Sequence, residues 1–314
     1  MSGVRVIRGG MLTTIQDSGR WGYQSRGVPV AGPMDPVSHR LANALVGNER
    51  SAATLEVTLL GPELEFEDER VVAVTGAEFE IMLDGRPAPH GTPFLVAKES
   101  HLRFGQRRRG SRAYLAIRGG VAVPPVLGSR STHVISAMGG LAGRPLRSGD
   151  RVTLGVADAA RPTVAPPADR LVELPSRPAR LRVLPGPQAD AFTSDALDTL
   201  QSAPYTVGQQ SDRMGFRLEG PRLTHARSAD IISDATPLGV LQVPASGQPI
   251  LLMADRQTSG GYPRIATVIT ADLGICGQRA PGDTVSFRIC RAAEALSALI
   301  ARENALLAVD AAWS

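Results

Sequence analysis

Three short stretches of the sequence combine carboxylates, guanidinium groups and glutamine amides with glycines. They are the first cluster, Ile15–Gln24, the second cluster, Gln209–Gly220, and the third cluster, Asp255–Arg264. Glycine lets backbone amides approach a ligand closely, while carboxylates, guanidinium groups and amides offer hydrogen-bond acceptors and donors. This combination is typical of a site that binds a small polar molecule, and strand packing alone does not require it.

Each cluster also has a purely structural interpretation. The first cluster leads into a segment where Asp35 is suited to cap a helix, and capping is the favoured role for that residue. In the second cluster, an exposed ion pair between Asp212 and Arg213 would contribute little to stability and is an equal alternative to a ligand role. The third cluster directly follows the apolar stretch Pro249–Ala254, and polar residues at the end of a buried strand favour a functional site.

The composition indicates a strand-rich chain of two domains. With 314 residues, 43% of them hydrophobic, the chain can form one large core or two ordinary ones, and its length favours two. Gly 33 and Pro 24 together make up about 18% of the chain, compared with roughly 12% in average proteins. We therefore expect frequent turns, many short strands and few long helices.

Lysine is almost absent, and this excludes several classes of protein. Lys98 is the only lysine, in the sequence Ala97-Lys98-Glu99, so any Schiff-base chemistry would have to use that residue. The surrounding sequence matches neither a phosphate-binding Gly-x-x-x-x-Gly-Lys-Ser/Thr loop nor the Met-Lys-Met site of a biotin carrier. The net charge is only +4, so the high isoelectric point reflects the use of arginine in place of lysine more than a large excess of positive charge.

Cysteine and histidine usage fits a reducing compartment and provides no local metal-binding motif, which leaves a metal site possible only by long-range assembly. Cys276 and Cys290 form neither a CxxC pair nor a disulfide framework, and the five histidines do not occur at zinc-binding spacings. The N-terminus has no signal-peptide core, and the apolar runs are too short to cross a bilayer. We expect a soluble, cytoplasmic protein without a metal site.

Short apolar or alternating runs bounded by turn residues predict the strands. They are Arg70–Thr75, Phe79–Leu83, Arg112–Ile117, Arg151–Leu154, Leu181–Leu184, Gly239–Val243, Pro249–Ala254, Arg264–Thr270 and Thr284–Ile289. Three helices are expected. The first begins after Asp35 and ends at Gly47, the second covers Ala189–Ser202, and the third covers Arg291–Val309. The third is predicted to carry one apolar stripe formed by Leu296, Leu299, Ile300, Leu306 and Leu307.

The proline-rich stretch in the middle of the chain predicts a domain boundary. We expect an N-terminal β-barrel-like domain at 1–157, a linker at 158–180, and a C-terminal β-barrel-like domain with a terminal helix at 181–314. Short segments of similar sequence occur in the same order in both halves, such as Arg5–Gly9 and Arg182–Gly186. They favour an ancient duplication, with ligands expected to bind in a cleft between the two barrels.

Five motifs carry a resemblance to a known family. They are Gln16–Arg20, Gly32–Asp35, Leu41–Asn48, Ser211–Gly215 and Asp255–Pro263. Together they resemble the biotin-dependent carboxyltransferase family, also called allophanate hydrolase subunit 2. That family includes the C-type subunit of 5-oxoprolinase and the carboxyltransferase region of urea carboxylase. The resemblance extends from about Val4 to Ile289 and differs from the usual family pattern at Arg264 and in Cys276–Gln278.

The resemblance implies two tandem cyclophilin-like β-barrels, a mainly β fold with a few short helices. It also implies an enzyme, a heteromeric and ATP-hydrolysing amide-bond hydrolase of the 5-oxoprolinase type. The implied companion is of the allophanate hydrolase subunit 1 type, which corresponds to the B-type subunit of 5-oxoprolinase. Family members act on small cyclic amides or ureas. The chain length and the missing biotin lysine favour the 5-oxoprolinase function, with ATP as the implied cofactor.

Under this resemblance, the polar clusters supply the candidate site residues. The arginines Arg20, Arg213 and Arg256 are expected to hold anionic oxygens. The aspartates Asp17, Asp212 and Asp255 would orient an amide N–H or act as a base, which requires a pKa raised from about 3.9. The predicted substrate-binding residues are Gln16, Tyr23, Gln210, Gln257, Thr258, Gly260, Gly261 and Tyr262.

Two other functions remain open at this stage. One is biotin-dependent carboxyl transfer to urea or a similar amide, with carboxybiotin supplied by another chain. The other is a regulatory role in which the protein binds a sensor kinase together with the companion subunit. The basic run Gln106–Arg112 lacks aromatic residues for base stacking. We interpret it as a solvated connection between strands and expect neither nucleic acid nor membrane as a partner.

Overall fold

The computed structural model describes residues 2–157 and 179–311, which form two compact units. The first unit contains the described residues 2–20, 31–157 and 303–311, and the second contains 21–30 and 179–302. The expected linker at 158–180 lies outside the described residues except for its last two positions. Those two positions already belong to a strand that begins at Ala179.

Nine strands of the first unit form one sheet, a half-barrel. They are β1 (Gly3–Arg8), β2 (Leu12–Gln16), β3 (Thr54–Thr58), β4 (Glu63–Phe66), β5 (Arg70–Leu83), β6 (Arg86–Ala88), β7 (Phe94–Val96), β8 (His101–Ile117) and β9 (Arg151–Thr153). The order is β2-β3-β8-β4-β1-β9, and β5 pairs with β6, β7 and β8. Side chains such as Val57, Phe66 and Leu115 are completely or almost completely buried and form its core.

The two longest strands of the first unit differ from the sequence prediction. The separate strands expected at Arg70–Thr75 and Phe79–Leu83 are one strand, β5, which bulges where it pairs with β8. The basic run Gln106–Arg112 is likewise part of β8 and not a connection between strands. Its charges are matched by carboxylates on β5, since Arg109 bonds Glu78 at 2.6 Å and cross-strand opposite charges are mutually stabilising.

Helix α1 (Pro36–Leu45) is confirmed with its predicted cap. Asp35 accepts hydrogen bonds from the backbone N–H groups of Val37 and Ser38, both at 3.1 Å, and Pro36 occupies the first turn. The buried face of α1 packs in a second core cluster of the first unit, which also contains Leu306.

The second unit contains a closed seven-stranded barrel. Its strands are β10 (Ala179–Pro185), β11 (Tyr205–Val207), β12 (Gly215–Glu219), β14 (Val240–Gln242), β15 (Ile250–Leu252), β17 (Arg264–Val268) and β18 (Thr284–Ile289). They close in the order β10-β17-β14-β15-β12-β11-β18, with the parallel pair β10 and β18 completing the circle. Two short strands, β13 (Asp234–Ala235) and β16 (Ser259–Gly260), form a separate ladder. The predicted mainly β class is confirmed.

The second predicted helix needs correction. The expected helix Ala189–Ser202 is broken into a 3-10 turn at Ala189–Ala191 and helix α2 (Ala196–Ser202). The reason is that Phe192 is extended and the N–H of Thr193 binds the carbonyl of Thr224 instead of continuing the helix.

The helices α3 (Leu273–Gly277) and α4 (Ala292–Asp310) follow in the C-terminal part of the chain. The apolar stripe predicted for α4 is wrong, because Leu296 and Ile300 are more than half exposed. Only its last turns are buried, through Leu306 and Val309. No helix in the described parts of the chain has the length and apolarity needed to cross a bilayer.

The cap of α1 gives a first testable expectation. Replacing Asp35 with alanine removes both backbone hydrogen bonds and should lower the free energy of unfolding by about 1–2 kcal/mol. Asp195 also precedes a helix, α2, but makes no capping hydrogen bond with its side chain. Asp195→Ala is therefore the matched control and should change stability by less than about 0.5 kcal/mol. Equal losses in urea denaturation would contradict the capping role.

Candidate functional site

In the first unit, the carboxylate of Asp17 is held by a ring of donors. Its Oδ1 accepts hydrogen bonds from the hydroxyls of Ser129 at 2.6 Å and Ser131 at 2.7 Å and from the N–H of Gly19, and its Oδ2 accepts from the N–H of Arg130. Burial raises the pKa of Asp17, but these hydrogen bonds outweigh it and hold the pKa below its ordinary value. Asp17 is therefore a fixed anion and not a group tuned to act as a base.

The neighbouring candidates in the first unit are also buried. The guanidinium of Arg20 donates to the backbone carbonyls of Val126 and Ser131, each at 2.9 Å, and only 1% of the residue is exposed. The amide of Gln16 donates to the carbonyl of Thr132 at 3.1 Å. These contacts join strand β2 and the residues after it to the loop around residue 130.

A histidine on α1 lies in the same interior. Burial lowers the pKa of His39 to about 4, although the charge of Asp17 acts in the opposite direction. The imidazole is therefore neutral at physiological pH. Its edge meets the ring of Tyr114 at a centroid distance of 6.0 Å, which fits a packing role.

In the second unit, the side chains of Arg213 and Asp255 form a buried ion pair. Two parallel hydrogen bonds of 2.9 Å join the guanidinium to both carboxylate oxygens, and the exposed fractions of the two side chains are 7% and 4%. The backbone reinforces the contact, because the N–H of Asp255 donates to the carbonyl of Arg213 at 2.8 Å. The surface pair considered between Asp212 and Arg213 is thus replaced by a pair between the second and third clusters.

Asp212 lies in the exposed connection between the paired strands β11 and β12. The Asp212 carboxylate accepts hydrogen bonds from the N–H groups of Met214 at 2.8 Å and Gly215 at 3.3 Å, which forms a local turn. Gln210 is exposed beside it.

The third cluster continues directly into the wall of a cavity of about 300 Å³. Of the two cavities next to the second and third clusters this one has the larger volume, and we call it the larger cavity. It is lined by Trp21, Gln24, Val30, Ala235, Thr236, Pro237, Leu238, Arg256, Gln257 and Thr258. Arg256 is fixed in the wall because its Nε donates to the carbonyl of Thr236 at 2.7 Å. Burial lowers the pKa of Arg256, opposed by the charge of Asp255, and a guanidinium remains charged under such a shift.

A second cavity, of about 160 Å³, lies on the barrel wall. We call this the smaller cavity, and it is lined by Gln210, Asp212, Met214, Gly215, Arg217, Gln242, Ile250, Leu252, Gln257 and Tyr262. Gln257 belongs to both cavity walls, and its Nε2 donates to the Oε1 of Gln242 at 3.2 Å.

The structure thus brings several predicted residues of the second and third clusters together. Arg256 and Thr258 line the larger cavity, Gln210, Asp212 and Tyr262 line the smaller one, and Gln257 lines both.

Two glycines of the third cluster line neither cavity, and each contacts its neighbours through its backbone. Gly260 lies against the amide of Gln242, where a Cβ would approach Nε2 to 2.6 Å. Gly261 accepts a hydrogen bond from the N–H of Ile231. Tyr23 is half-buried beside a 3-10 turn and does not line either cavity.

Sequence reasoning missed several wall residues that carry polar groups, among them Trp21, Gln24, Arg217 and Gln242. Trp21 and Gln24 lie in the first cluster but were not predicted as site residues. Gln242 was treated as part of an apolar strand, although it is the single polar side chain in the run Gly239–Val243. A lone amide in an otherwise apolar strand was the available signal, because a buried amide needs hydrogen-bond partners.

Asp17 gives an expectation with a defined pH dependence. Asp17→Asn should lower the free energy of unfolding by about 1.5–3 kcal/mol at neutral pH, because hydrogen bonds to the carboxylate are charge-assisted. The pKa of Asp17 in the folded protein lies below the ordinary 3.8. The carboxylate therefore stabilises the fold above pH 3.8, and this contribution is lost as the pH falls through the folded-state pKa.

Urea denaturation at a series of pH values measures this effect. The deficit of Asp17→Asn should be constant near neutrality and shrink below pH 3.8. The exposed Asp190 provides the control variant Asp190→Asn, which should show neither effect. A deficit that grows on acidification would contradict the assignment.

The buried pair gives a second expectation for this site. Arg213→Met leaves the Asp255 carboxylate buried without its partner and should cost about 3–5 kcal/mol of unfolding free energy. The double variant Arg213→Met/Asp255→Leu removes both charges and should recover most of that loss. A double variant as unstable in urea denaturation as the single one would show that the pair does not act as a unit.

The sequence of the chain can now be compared with those of known proteins. The sequence profile described as carboxyltransferase domain, subdomain A and B, matches residues 26–289. The chain is 39% identical over 295 residues to the C-type subunit of 5-oxoprolinase from Escherichia coli (strain K12), covering 94% of both chains. It is 36% identical over 291 residues to the corresponding subunit from Haemophilus influenzae, covering 93% of this chain and 92% of the relative.

A solved structure shows the same fold. The urea amidolyase of K. lactis superposes with a TM-score of 0.91 at 33% sequence identity. The match covers 97% of this chain but only 20% of that much longer protein. The resemblance seen in the sequence motifs is thereby confirmed, and the chain belongs to the carboxyltransferase domain, subdomain A and B, family.

Proposed function

We propose that this chain is the C-type component of an ATP-dependent 5-oxoprolinase, a hydrolase that opens a small cyclic amide. It would act with a companion of the allophanate hydrolase subunit 1 type, the B-type subunit of 5-oxoprolinase. The observation that carries the proposal is the two-way coverage of 94% with the C-type subunit of a 5-oxoprolinase. The match to urea amidolyase, in contrast, corresponds to one-fifth of that protein.

The larger cavity supplies chemistry that suits amide opening. An amide carbonyl is a weak electrophile, so a site must hold it in place and stabilise the oxyanion that forms on attack. Arg256 offers a fixed cation at the cavity wall, and the amide of Gln257 offers a donor and an acceptor beside it. In this proposal Arg256 stabilises the oxyanion, and Gln257 and Thr258 orient the substrate.

Arg213 and Asp255 take a supporting role in this proposal. Both hydrogen-bonding faces are directed at each other, so neither is disposed as a free clamp or a free base. Asp255 immediately precedes Arg256, and fixing its carboxylate fixes the chain that carries the Arg256 guanidinium. They are therefore proposed as positioning residues.

The walls of the two cavities do not fit a triphosphate. Phosphoryl groups are held by several cations, backbone amide loops and a carboxylate-bound metal. Each of these two walls contributes one arginine and no lysine. The carboxylate that lines the smaller cavity, Asp212, accepts hydrogen bonds from the N–H groups of Met214 and Gly215. We therefore derive no step on this chain through ATP and propose that the companion subunit binds it.

The structural similarity to the urea amidolyase of K. lactis supports a second candidate function, which is carboxyl transfer from carboxybiotin to urea or a similar amide. Both reactions require an amide to be held beside a cation. They differ in the cosubstrate, since the first consumes ATP and water and the second consumes carboxybiotin. The same purified protein can be assayed for both.

The test is ATP hydrolysis that depends on 5-oxoproline, measured with the chain and its companion subunit. Arg256→Ala should lower turnover by about 10²-fold or more, because it removes the oxyanion-stabilising cation, while circular dichroism shows an intact fold. Arg227→Ala is the matched control, since Arg227 is a largely exposed arginine of the same unit. It should retain wild-type turnover.

Three results would decide between the candidates. Wild-type turnover in Arg256→Ala would remove the third cluster from the reaction. Carboxybiotin-dependent carboxylation of urea, without ATP hydrolysis on 5-oxoproline, would favour the second candidate. Turnover that is lost in Arg256→Ala and kept in Arg227→Ala supports the 5-oxoprolinase proposal.

A further inference from the structure

The segment Trp21–Val30 comes from the N-terminal part of the chain, yet it belongs to the second unit. It contributes Trp21, Gln24 and Val30 to the wall of the larger cavity, whose other wall residues come from 235–238 and 256–258. The proposed function draws on 256–258 alone. The polar side chain of Gln24 therefore borders the same cavity without an assigned role.

Half of the Gln24 amide is already used within its own turn. Its Oε1 accepts a hydrogen bond from the N–H of Gly22 at 2.8 Å, and its backbone carbonyl accepts one from the N–H of Gly27 at 3.0 Å. Both glycines have positive φ, 94° and 77°, which permits this tight chain path. A backbone N–H can only donate, so the bonded side-chain atom is the amide oxygen and the remaining group, Nε2, is a donor.

The Nε2 group of Gln24 is an accessible donor that the protein does not use. It makes no hydrogen bond within the described residues, and it is not a buried atom. The residue as a whole is only partly buried. A ligand that enters the larger cavity from solvent can therefore accept a hydrogen bond from this group.

Arg256 provides a second accessible donor in the same wall. Its Nε donates to the carbonyl of Thr236 at 2.7 Å, and its Nη1 donates to the carbonyl of Met253 at 3.4 Å. These two bonds hold the guanidinium in place. In the part of the chain that the structure describes, Nη2 makes no hydrogen bond and is not a buried atom, so it is available to a ligand.

The charge of the wall favours a ligand with an anionic oxygen. No aspartate or glutamate among the described residues lines the larger cavity. The nearest carboxylate in sequence, Asp255, has both oxygens hydrogen-bonded to Arg213. The charge of Arg256 is therefore not neutralised within the cavity wall, and a charge-assisted hydrogen bond is roughly twice as strong as a neutral one.

The size of the cavity allows both donors to act on one ligand. Its volume of about 300 Å³ is at the lower end of the roughly 300–1,000 Å³ that is usual for ligand sites. Apolar side chains such as Val30 and Leu238 line part of the remaining wall. A small ligand in this space contacts Gln24 and Arg256 together.

We infer that Gln24 is a second donor for the anionic oxygen held in the larger cavity. Its Nε2 and the Nη2 of Arg256 donate to the same oxygen, the first as a neutral donor and the second as a cation. The inference rests on the proposed function and deepens it, because it adds a residue of the N-terminal part of the chain to the group that stabilises the oxyanion. Donors that are in place before the charge develops stabilise it most effectively.

A first test measures anion binding by the full chain without turnover. The probe is methylphosphonate, which carries the oxygens of a tetrahedral oxyanion, and tert-butanol has a similar shape without charge. The sequence has two tryptophans, Trp21 and Trp313, so Trp313→Phe leaves Trp21 in the cavity wall as the only fluorescent tryptophan. In this parent protein methylphosphonate should change the fluorescence in a saturable way, and tert-butanol should not.

Two substitutions remove the donor in different ways. Gln24→Leu should weaken methylphosphonate binding about tenfold or more, because a hydrogen bond to an anion is lost. Gln24→Glu keeps an oxygen for the N–H of Gly22 but replaces the donor with a negative charge, so it should weaken binding at least as much. Gln24→Glu also tests the donor if Gln24→Leu disturbs the turn.

The matched control is Gln209→Leu, since Gln209 is an exposed glutamine of the same unit that lines neither cavity. It should bind methylphosphonate as the parent protein does. Equal affinity in the parent protein, Gln24→Leu and Gln24→Glu overturns the inference. Absence of saturable binding in the parent protein overturns it as well.

A second test measures ATP hydrolysis that depends on 5-oxoproline, with the chain and its companion subunit. Gln24→Leu should lower kcat by about 10²-fold, because one donor to the oxyanion is missing. The KM should stay within about threefold, since the interaction strengthens only as the charge develops. A higher KM at unchanged kcat would contradict the oxyanion role of Gln24.

The outcomes separate this inference from the proposed function. Anion binding that depends on Gln24, in a wild-type complex that does not hydrolyse ATP with 5-oxoproline, supports the inferred site and contradicts the 5-oxoprolinase proposal. Turnover that is lost in Arg256→Ala but normal in Gln24→Leu supports the proposed function and overturns the inference.

Discussion

The buried ion pair between Arg213 and Asp255 is the constraint on which the candidate site depends. It fastens the chain leaving β15 to the chain entering β12, across 42 residues of sequence. Removing either partner leaves an uncompensated charge in the interior, so the two chain segments are stable only together. Arg256 and Gln257 follow within two residues, and their direction is set by this contact.

From that fixed point the loop divides its polar groups between two cavities. Arg256 is held by the carbonyl of Thr236 and borders the larger cavity, while Gln257 bonds Gln242 and borders both. In the proposed function, an amide oriented by Gln257 lies beside the cationic wall, because Arg256 and Gln257 are adjacent in the chain. The proposed function therefore assigns substrate orientation and charge stabilisation to one short loop on a rigid barrel, and rigid elements hold a reacting group more accurately than flexible ones.

Sequence reasoning was strongest where the cause is local. Asp35 before Pro36 predicted a capped helix, and the apolar run before Asp255 predicted a strand that ends in a polar loop. It was weakest where a contact joins residues that are far apart in the sequence. The Arg213–Asp255 pair and the contact between Gln242 and Gln257 depend on which strands become neighbours. The α4 stripe failed because burial of its leucines is decided by packing partners and not by helical periodicity.

The most direct measurement is the side-chain amide NMR spectrum of the 15N-labelled protein during addition of 5-oxoproline. The account expects the Nε2 resonance of Gln257, assigned through the Gln257→Leu variant, to shift in a saturable way. The Gln248 resonance should stay in place. Shifts confined to other glutamines, or none under saturating ligand, would contradict the claim that the barrel wall of the second unit holds the amide.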